Sequence, residues 1–154
     1  MKQLNPHAEK YHTYYMDIAI RTAQQSVAVR RKVGAVIVTN TGLMAVGFNG
    51  TPSGFDNNCE STWFNEEGYE VLKTKPEVIH AERNALDKLT KQGVSTQNSI
   101  LFVTTAPCNE CAKSIHAVGV SSVYYLVTQF NTDGLQFLHK AGVPTTKMKL
   151  NKDI

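Results

Sequence analysis

A chain of 154 residues with 42% hydrophobic side chains has material for one core, and a single domain over 1–154 is expected. Sixteen Lys and Arg against thirteen Asp and Glu leave a formal charge of +3, too mild for a dedicated nucleic-acid-binding face. Three cysteines are too few for a disulfide scaffold, and neither the polar start Met1-Lys2-Gln3-Leu4-Asn5-Pro6 nor any later stretch offers a signal-peptide core or a membrane span, so a reducing, cytoplasmic setting is expected.

Taken in chain order, residues 7–28 are predicted as a helix, with Tyr11, Tyr15, Ile18, Ala19, Thr22 and Ala23 at helical spacing. The tyrosines read as packing groups rather than a base-stacking platform. Arg30-Arg31-Lys32 follows, either a solvated charge run or a cationic approach to a phosphate. Residues 33–39 and 43–49 form two strands around the turn Asn40-Thr41-Gly42, giving a hairpin. Its far end carries Gly47, Gly50 and Gly54 around Asn49 and Pro52. Such a stretch either brings backbone N–H groups close to an anion or needs glycine for a positive φ.

Residues 51–78 make a connection too long for a plain loop. Trp63, Phe64 and Tyr69 are expected to anchor it by packing, with a short helix, as a lid or a subunit contact, and Cys59 is expected to be a bystander in a polar loop. A helix over 80–92 stops at Gly93 and buries Ala81, Ala85, Leu86 and Leu89. Lys88 and Lys91 lie on its outer side, solvated unless an effector phosphate approaches. Residues 99–104 carry the continuous apolar run of a central strand. A helix over 107–118 has Pro107 at its first position, and His116 falls off the face that carries the cysteines. A strand over 122–127, a helix over 133–141 ended by Gly142, and a strand over 143–150 complete the chain, and the polar tail is expected to fray. The order α-β-β-α-β-α-β-α-β implies an α/β fold, with the first two strands antiparallel and the later ones parallel through right-handed crossovers.

Two short motifs carry the chemistry: His80-Ala81-Glu82 and Pro107-Cys108-Asn109-Glu110-Cys111. Zinc takes four tetrahedral ligands from His nitrogen and Cys sulfur, and a catalytic site keeps one position for water. The evident ligands here stop at three, His80, Cys108 and Cys111. On a helix the two cysteines share one face, and the positive helix end favours their thiolates. Two thiolates neutralise the ion, and water at the open position still acidifies toward neutrality. Glu82, in the first helical turn, can reach past the metal as a proton carrier rather than a ligand. A redox pair or half of a structural zinc site would explain either motif alone, but not both in this order, each opening a helix.

The stretches Val46-Gly47-Phe48-Asn49-Gly50-Thr51-Pro52-Ser53-Gly54 and Thr105-Ala106-Pro107-Cys108-Asn109-Glu110-Cys111-Ala112-Lys113 resemble the deoxycytidylate (dCMP) deaminase family, over residues 11–144. The resemblance implies a cytidine deaminase-like three-layer α/β/α fold with a five-stranded mixed sheet. It implies zinc-dependent hydrolysis of dCMP to dUMP, with Glu82 as the proton shuttle. The Ala81 N–H would bind the pyrimidine carbonyl, Asn49 the sugar 3′-hydroxyl, and Asn109 would help hold the nucleotide. It further implies a homo-oligomer, a hexamer in the family, activated by dCTP and inhibited by dTTP with Mg2+. Candidate effector contacts are Gly47, Asn49, Gly50 and Gly54 as donors and Arg30, Arg31, Lys88 and Lys91 as cations. The chain departs from the family at Phe130, where a tyrosine often contacts the substrate phosphate. The rival readings are a tRNA adenosine deaminase, which needs a more concentrated basic surface, and an inactive zinc-stabilised nucleotide-binding module, against which Glu82 speaks.

Overall fold

A computed structural model describes residues 4–150, so the first three residues of the polar start and the 151–154 part of the polar tail lie outside the described residues. The order is α1 (His12–Ala23, entered through a 3-10 turn Glu9–Tyr11), β1 (Gly34–Val38), β2 (Met44–Phe48), β3 (Glu60–Phe64), β4 (Glu70–Thr74), α2 (Ala81–Lys91), β5 (Ser99–Thr105), α3 (Asn109–Ala117), β6 (Val120–Val127), α4 (Asp133–Lys140) and β7 (Thr145–Lys147).

Five strands form one mixed sheet in the order β2-β1-β5-β6-β7. β1 pairs antiparallel with both β2 and β5, whereas β5–β6 and β6–β7 are parallel. The valine-rich β1 is buried along its whole length, and so is nearly all of β5. Side chains alternate across the sheet, so the two faces carry different cores. Val36, Val38, Ile100 and Phe102 meet Tyr15, Met16 and Ala19 of α1. Ala35, Ile37, Leu101 and Val103 meet α2, α3 and α4 through Ala85, Leu86, Ala112, Ile115 and Leu138. The sheet is therefore the middle of three layers.

The first helix is shorter than its periodicity predicts. At its start, His7 donates through Nε2 to the Val38 and Thr39 carbonyls, and Asn5 Oδ1 accepts the His7 N–H. These residues dock on the β1–β2 turn instead of winding into the helix. At the far end the hydroxyl of Ser26 donates to Asn49 O and accepts from Ala28 N, which ends the helix. β7 pairs only three residues with β6.

Residues 51–78 hold no helix. They fold as a two-stranded antiparallel hairpin, β3–β4, separate from the main sheet. Its aromatic residues do not anchor it, since Trp63, Phe64 and Tyr69 are 54%, 71% and 68% exposed. In a strand pair without a third layer, neither face has anything to pack on. The base of the hairpin is different: Cys59 and Glu60 are 1% and 4% exposed.

The bonds from Asn49 N to Val33 O and from Thr39 N to Leu43 O set the β1–β2 alternation. Gly47 and Ala35 are thus a bonded pair, while Val46 and Phe48 turn their carbonyls to the open edge. Asn84 Nδ2 donates to Phe48 O at 2.7 Å and Lys88 Nζ donates to Val46 O. Lys88 therefore shields a sheet edge that would otherwise invite another strand. A Cβ on Gly47 would stand 2.3 Å from Ala81 O, so glycine is needed there for α2 to lie on β2.

Candidate active site

His80 is the N-cap of α2 and Cys108 the N-cap of α3, both with extended backbone. Pro107 precedes the cap instead of occupying the first helical position. The cap needs a side-chain acceptor, and Cys108 Sγ supplies it by accepting the Cys111 N–H at 3.5 Å. The two helix starts meet, and their positive ends converge on the sulfurs.

His80 Nδ1 lies 3.4 Å from Cys108 Sγ and 3.4 Å from Cys111 Sγ. Zn–N and Zn–S bonds of ordinary length at a tetrahedral angle would separate N from S by about 3.6 Å. The three donor atoms all lie within 4.8 Å of one another. The donor set and its spacing fit zinc, with Nδ1 as the histidine ligand.

Electrostatics agree with a metal-binding sulfur pair. A hydrogen bond from the Cys111 thiol, then His80, lowers Cys108 to about 3. The same bond, with burial and Glu82, raises Cys111. His80 is raised, its bond to Cys108 outweighing burial. Glu82 is 4% exposed, and burial pushes its carboxyl up to about 7.

His80, Ala81 and Glu82 line a cavity of about 400 Å³, together with Asn49, Arg30 and Arg31. Arg30 and Arg31, weighed above as effector contacts, thus share the space that Glu82 faces. Asn49 clamps their loop: Oδ1 accepts from Val33 N and Nδ2 donates to Arg31 O, both at 2.8 Å. Asn109 begins α3, directly after Cys108, and is exposed; it is not among the residues that line this cavity. The Gly50 N–H is taken by Ile79 O, and that of Gly47 by its strand pairing, so neither is a spare donor for an anion. Gly54, with φ +88°, has open space around it. Lys91 is exposed, and His116 packs edge-on near Phe137, away from the metal ligands.

Four polar residues of the cavity escaped sequence reasoning: Glu60, Thr74, Gln129 and Asn131. Glu60 and Thr74 sit in a stretch without usable periodicity, and Gln129 and Asn131 follow β6 in a segment with no motif. Gln129 is held by donation to Ala106 O at 2.8 Å. Phe130 also lines the cavity, and its side chain is fully exposed to solvent. Cys59, expected to be a bystander, is buried in the wall.

A family model of the cytidine and deoxycytidylate deaminase zinc-binding region matches residues 9–127. The dCMP deaminase of cyanophage S-TIM5, solved in complex with dCMP and dUMP, is 43% identical, with a TM-score of 0.80 over 92% of this chain and 98% of that one. The Deoxycytidylate deaminase of Schizosaccharomyces pombe is 33% identical over 91% of this chain and 45% of its own length. The Drosophila melanogaster protein named Probable deoxycytidylate deaminase is 35% identical over 76% of this chain and 59% of its own. The chain thus spans about half the length of these two curated relatives. The five-stranded mixed sheet is that of the cytidine deaminase-like fold. With the match running from α1 to the end of β6 and enclosing every donor atom of the metal cluster, the chain belongs to the cytidine and deoxycytidylate deaminase family of zinc-binding enzymes.

Proposed function

We propose that this chain hydrolyses dCMP to dUMP and ammonia. The observation that carries the reading is Glu82, a buried carboxyl beside the metal ligands in the cavity wall, held near neutrality. The likeness to a deaminase solved with dCMP and dUMP supports the substrate. Zinc, when bound by His80 Nδ1 and the two sulfurs, supplies a Lewis acid that acidifies water. Glu82 takes a proton from the attacking water as the bond to carbon 4 forms, and gives it to the ring nitrogen. It takes the second proton and delivers it to the exocyclic amine. The carbon–nitrogen bond breaks, ammonia leaves, and Glu82 ends as it began. Ala81 opens α2, and its N–H has no acceptor within the helix, which suits the pyrimidine carbonyl. Asn49 keeps one amide hydrogen and one lone pair for the sugar 3′-hydroxyl. An ammonia-release assay with dCMP, dCTP, deoxycytidine and tRNA, with and without chelator, tests this. Chelator-sensitive turnover of dCMP supports it; preference for tRNA or deoxycytidine refutes it.

The family resemblance extends the proposal to a cytoplasmic homo-oligomer, activated by dCTP and inhibited by dTTP with Mg2+. A triphosphate needs donors and cations together. Of the candidates, Gly54 and Lys91 find no hydrogen-bond partner for their N–H and ammonium among the described residues, whereas Gly47, Gly50 and Lys88 are engaged. Sigmoidal dCMP kinetics that become hyperbolic with dCTP and fall with dTTP are expected. Hyperbolic kinetics throughout, with strict exclusion of dTTP from an analogue-filled zinc pocket, would remove the regulatory part.

A further inference from the structure

The loop over 28–33 has no regular structure, yet it is fixed by side chains from three places. Ser26 holds Ala28, Asn49 holds Arg31 and Val33, and Glu60 holds what lies between. Glu60 Oε1 accepts the Val29 N–H at 2.9 Å and the Arg30 N–H at 3.1 Å. Its carboxylate is buried and lines the cavity, but it makes no ion pair among the described residues. Backbone donors satisfy it instead. Arg30 is steered separately, its guanidinium donating to Thr74 Oγ1 across from Glu60 on the hairpin. Neither Arg30 nor Arg31 meets a carboxylate among the described residues. The cavity thus presents two uncompensated guanidinium groups on a loop that Glu60 pins. A buried acid that took either arginine as its own partner would cancel the charge it now helps to aim.

We infer that Glu60 is a positioning residue, holding the Arg30–Arg31 turn so that both guanidinium groups receive the anionic end of the substrate. The inference rests on the proposed nucleotide reading. Phe130 strengthens it, because a phenyl ring at the cavity offers no hydrogen bond to a phosphate. Arginine forks suit a phosphate well, and a misplaced fork loses its paired bonds.

The test compares dCMP with deoxycytidine in zinc-loaded wild-type protein, Glu60→Ala, Glu60→Gln and Arg30→Gln. Glu60→Ala is expected to raise KM for dCMP about tenfold or more while kcat changes little. The kcat/KM for deoxycytidine should stay as it was, and so should bound zinc. Glu60→Gln should recover most of the loss, because an amide oxygen can still accept both N–H bonds. Arg30→Gln should reproduce the dCMP-selective loss, and it decides the matter if Glu60→Ala does not fold. Equal losses on both substrates, or no loss on dCMP, would overturn the inference. If wild type turns over neither substrate, the proposed reaction fails. The comparison is then made on dissociation constants of dUMP and deoxyuridine, where absence of a dUMP-selective loss overturns the positioning role on its own.

Discussion

Gly134 of α4 lies directly against the backbone of Cys108. A Cβ built on Gly134 would stand 2.8 Å from the Cys108 carbonyl oxygen and 2.0 Å from that of Pro107. In an ordinary helix, Gly→Ala stabilises by about 1 kcal/mol. Here the new methyl meets main chain that cannot swing aside. Gly134→Ala is expected to destabilise by about 1–3 kcal/mol and to weaken zinc binding about 10–100-fold, as loss of ligand support does. Urea unfolding and metal competition measure the two effects.

Zinc content follows from the donor set. Wild type is expected to carry one zinc per chain, and Cys108→Ser with Cys111→Ser to carry almost none. Metal analysis of purified protein decides; undiminished zinc in the double variant removes the assignment.

Glu82→Gln is expected to keep zinc and fold. Its turnover should fall at least about a hundredfold to ten-thousandfold, because one group serves several proton transfers. A variant holding more than about a tenth of wild-type rate would show that another group carries the proton.

Metal-free protein should show Glu82 in its pH dependence. The folded carboxyl stands at about 7 against an ordinary 4.5, so folding favours the neutral form. Both states are protonated below 4.5, and there stability is undiminished. It falls as pH rises through 7, by about 3 kcal/mol in all. Unfolding curves of chelated wild type and Glu82→Gln should therefore diverge between these pH values, wild type losing more. Parallel curves would contradict the burial of a free carboxyl.

The shielded edge of β2 gives another prediction. Asn84→Ala and Lys88→Ala should each cost about 0.5–1.5 kcal/mol, near the low end because freed carbonyls can rehydrate. The pair together should promote self-association through the bared strand, read by sedimentation. Lys88→Ala should leave any response to dCTP or dTTP unchanged.

The centre of the sheet was legible because β1 and nearly all of β5 are buried on both faces. The runs beginning at Val33 and Ile100 leave no other reading, and the metal motifs announce themselves by spacing. The hairpin over 60–74 was not legible. Its strands are exposed, so no alternation was imposed on them, and aromatic residues that usually signal burial face solvent. The glycines of the 47–54 stretch misled for a related reason. A glycine required by a helix lying close above a strand looks the same in sequence as one left open for a ligand. Arg30 and Arg31 could be read as cations, but only the fold shows that they share a wall with Glu82. Glu60 gave no signal, since what distinguishes it is which backbone it reaches.

The three grouped metal donors and Glu82, the proposed proton carrier, lie between residues 80 and 111, on the α2–β5–α3 unit. The groups that shape the rest of the cavity come mostly from 28–78 and 129–131, with Thr105 added by β5. Under the proposed function, chemistry and most of recognition are therefore written on separate lengths of chain, the Ala81 N–H being the exception. Change in the recognition segments can alter what enters without touching how it reacts, and the hairpin, attached only at its base, is a place where length can be gained at no cost to the reaction.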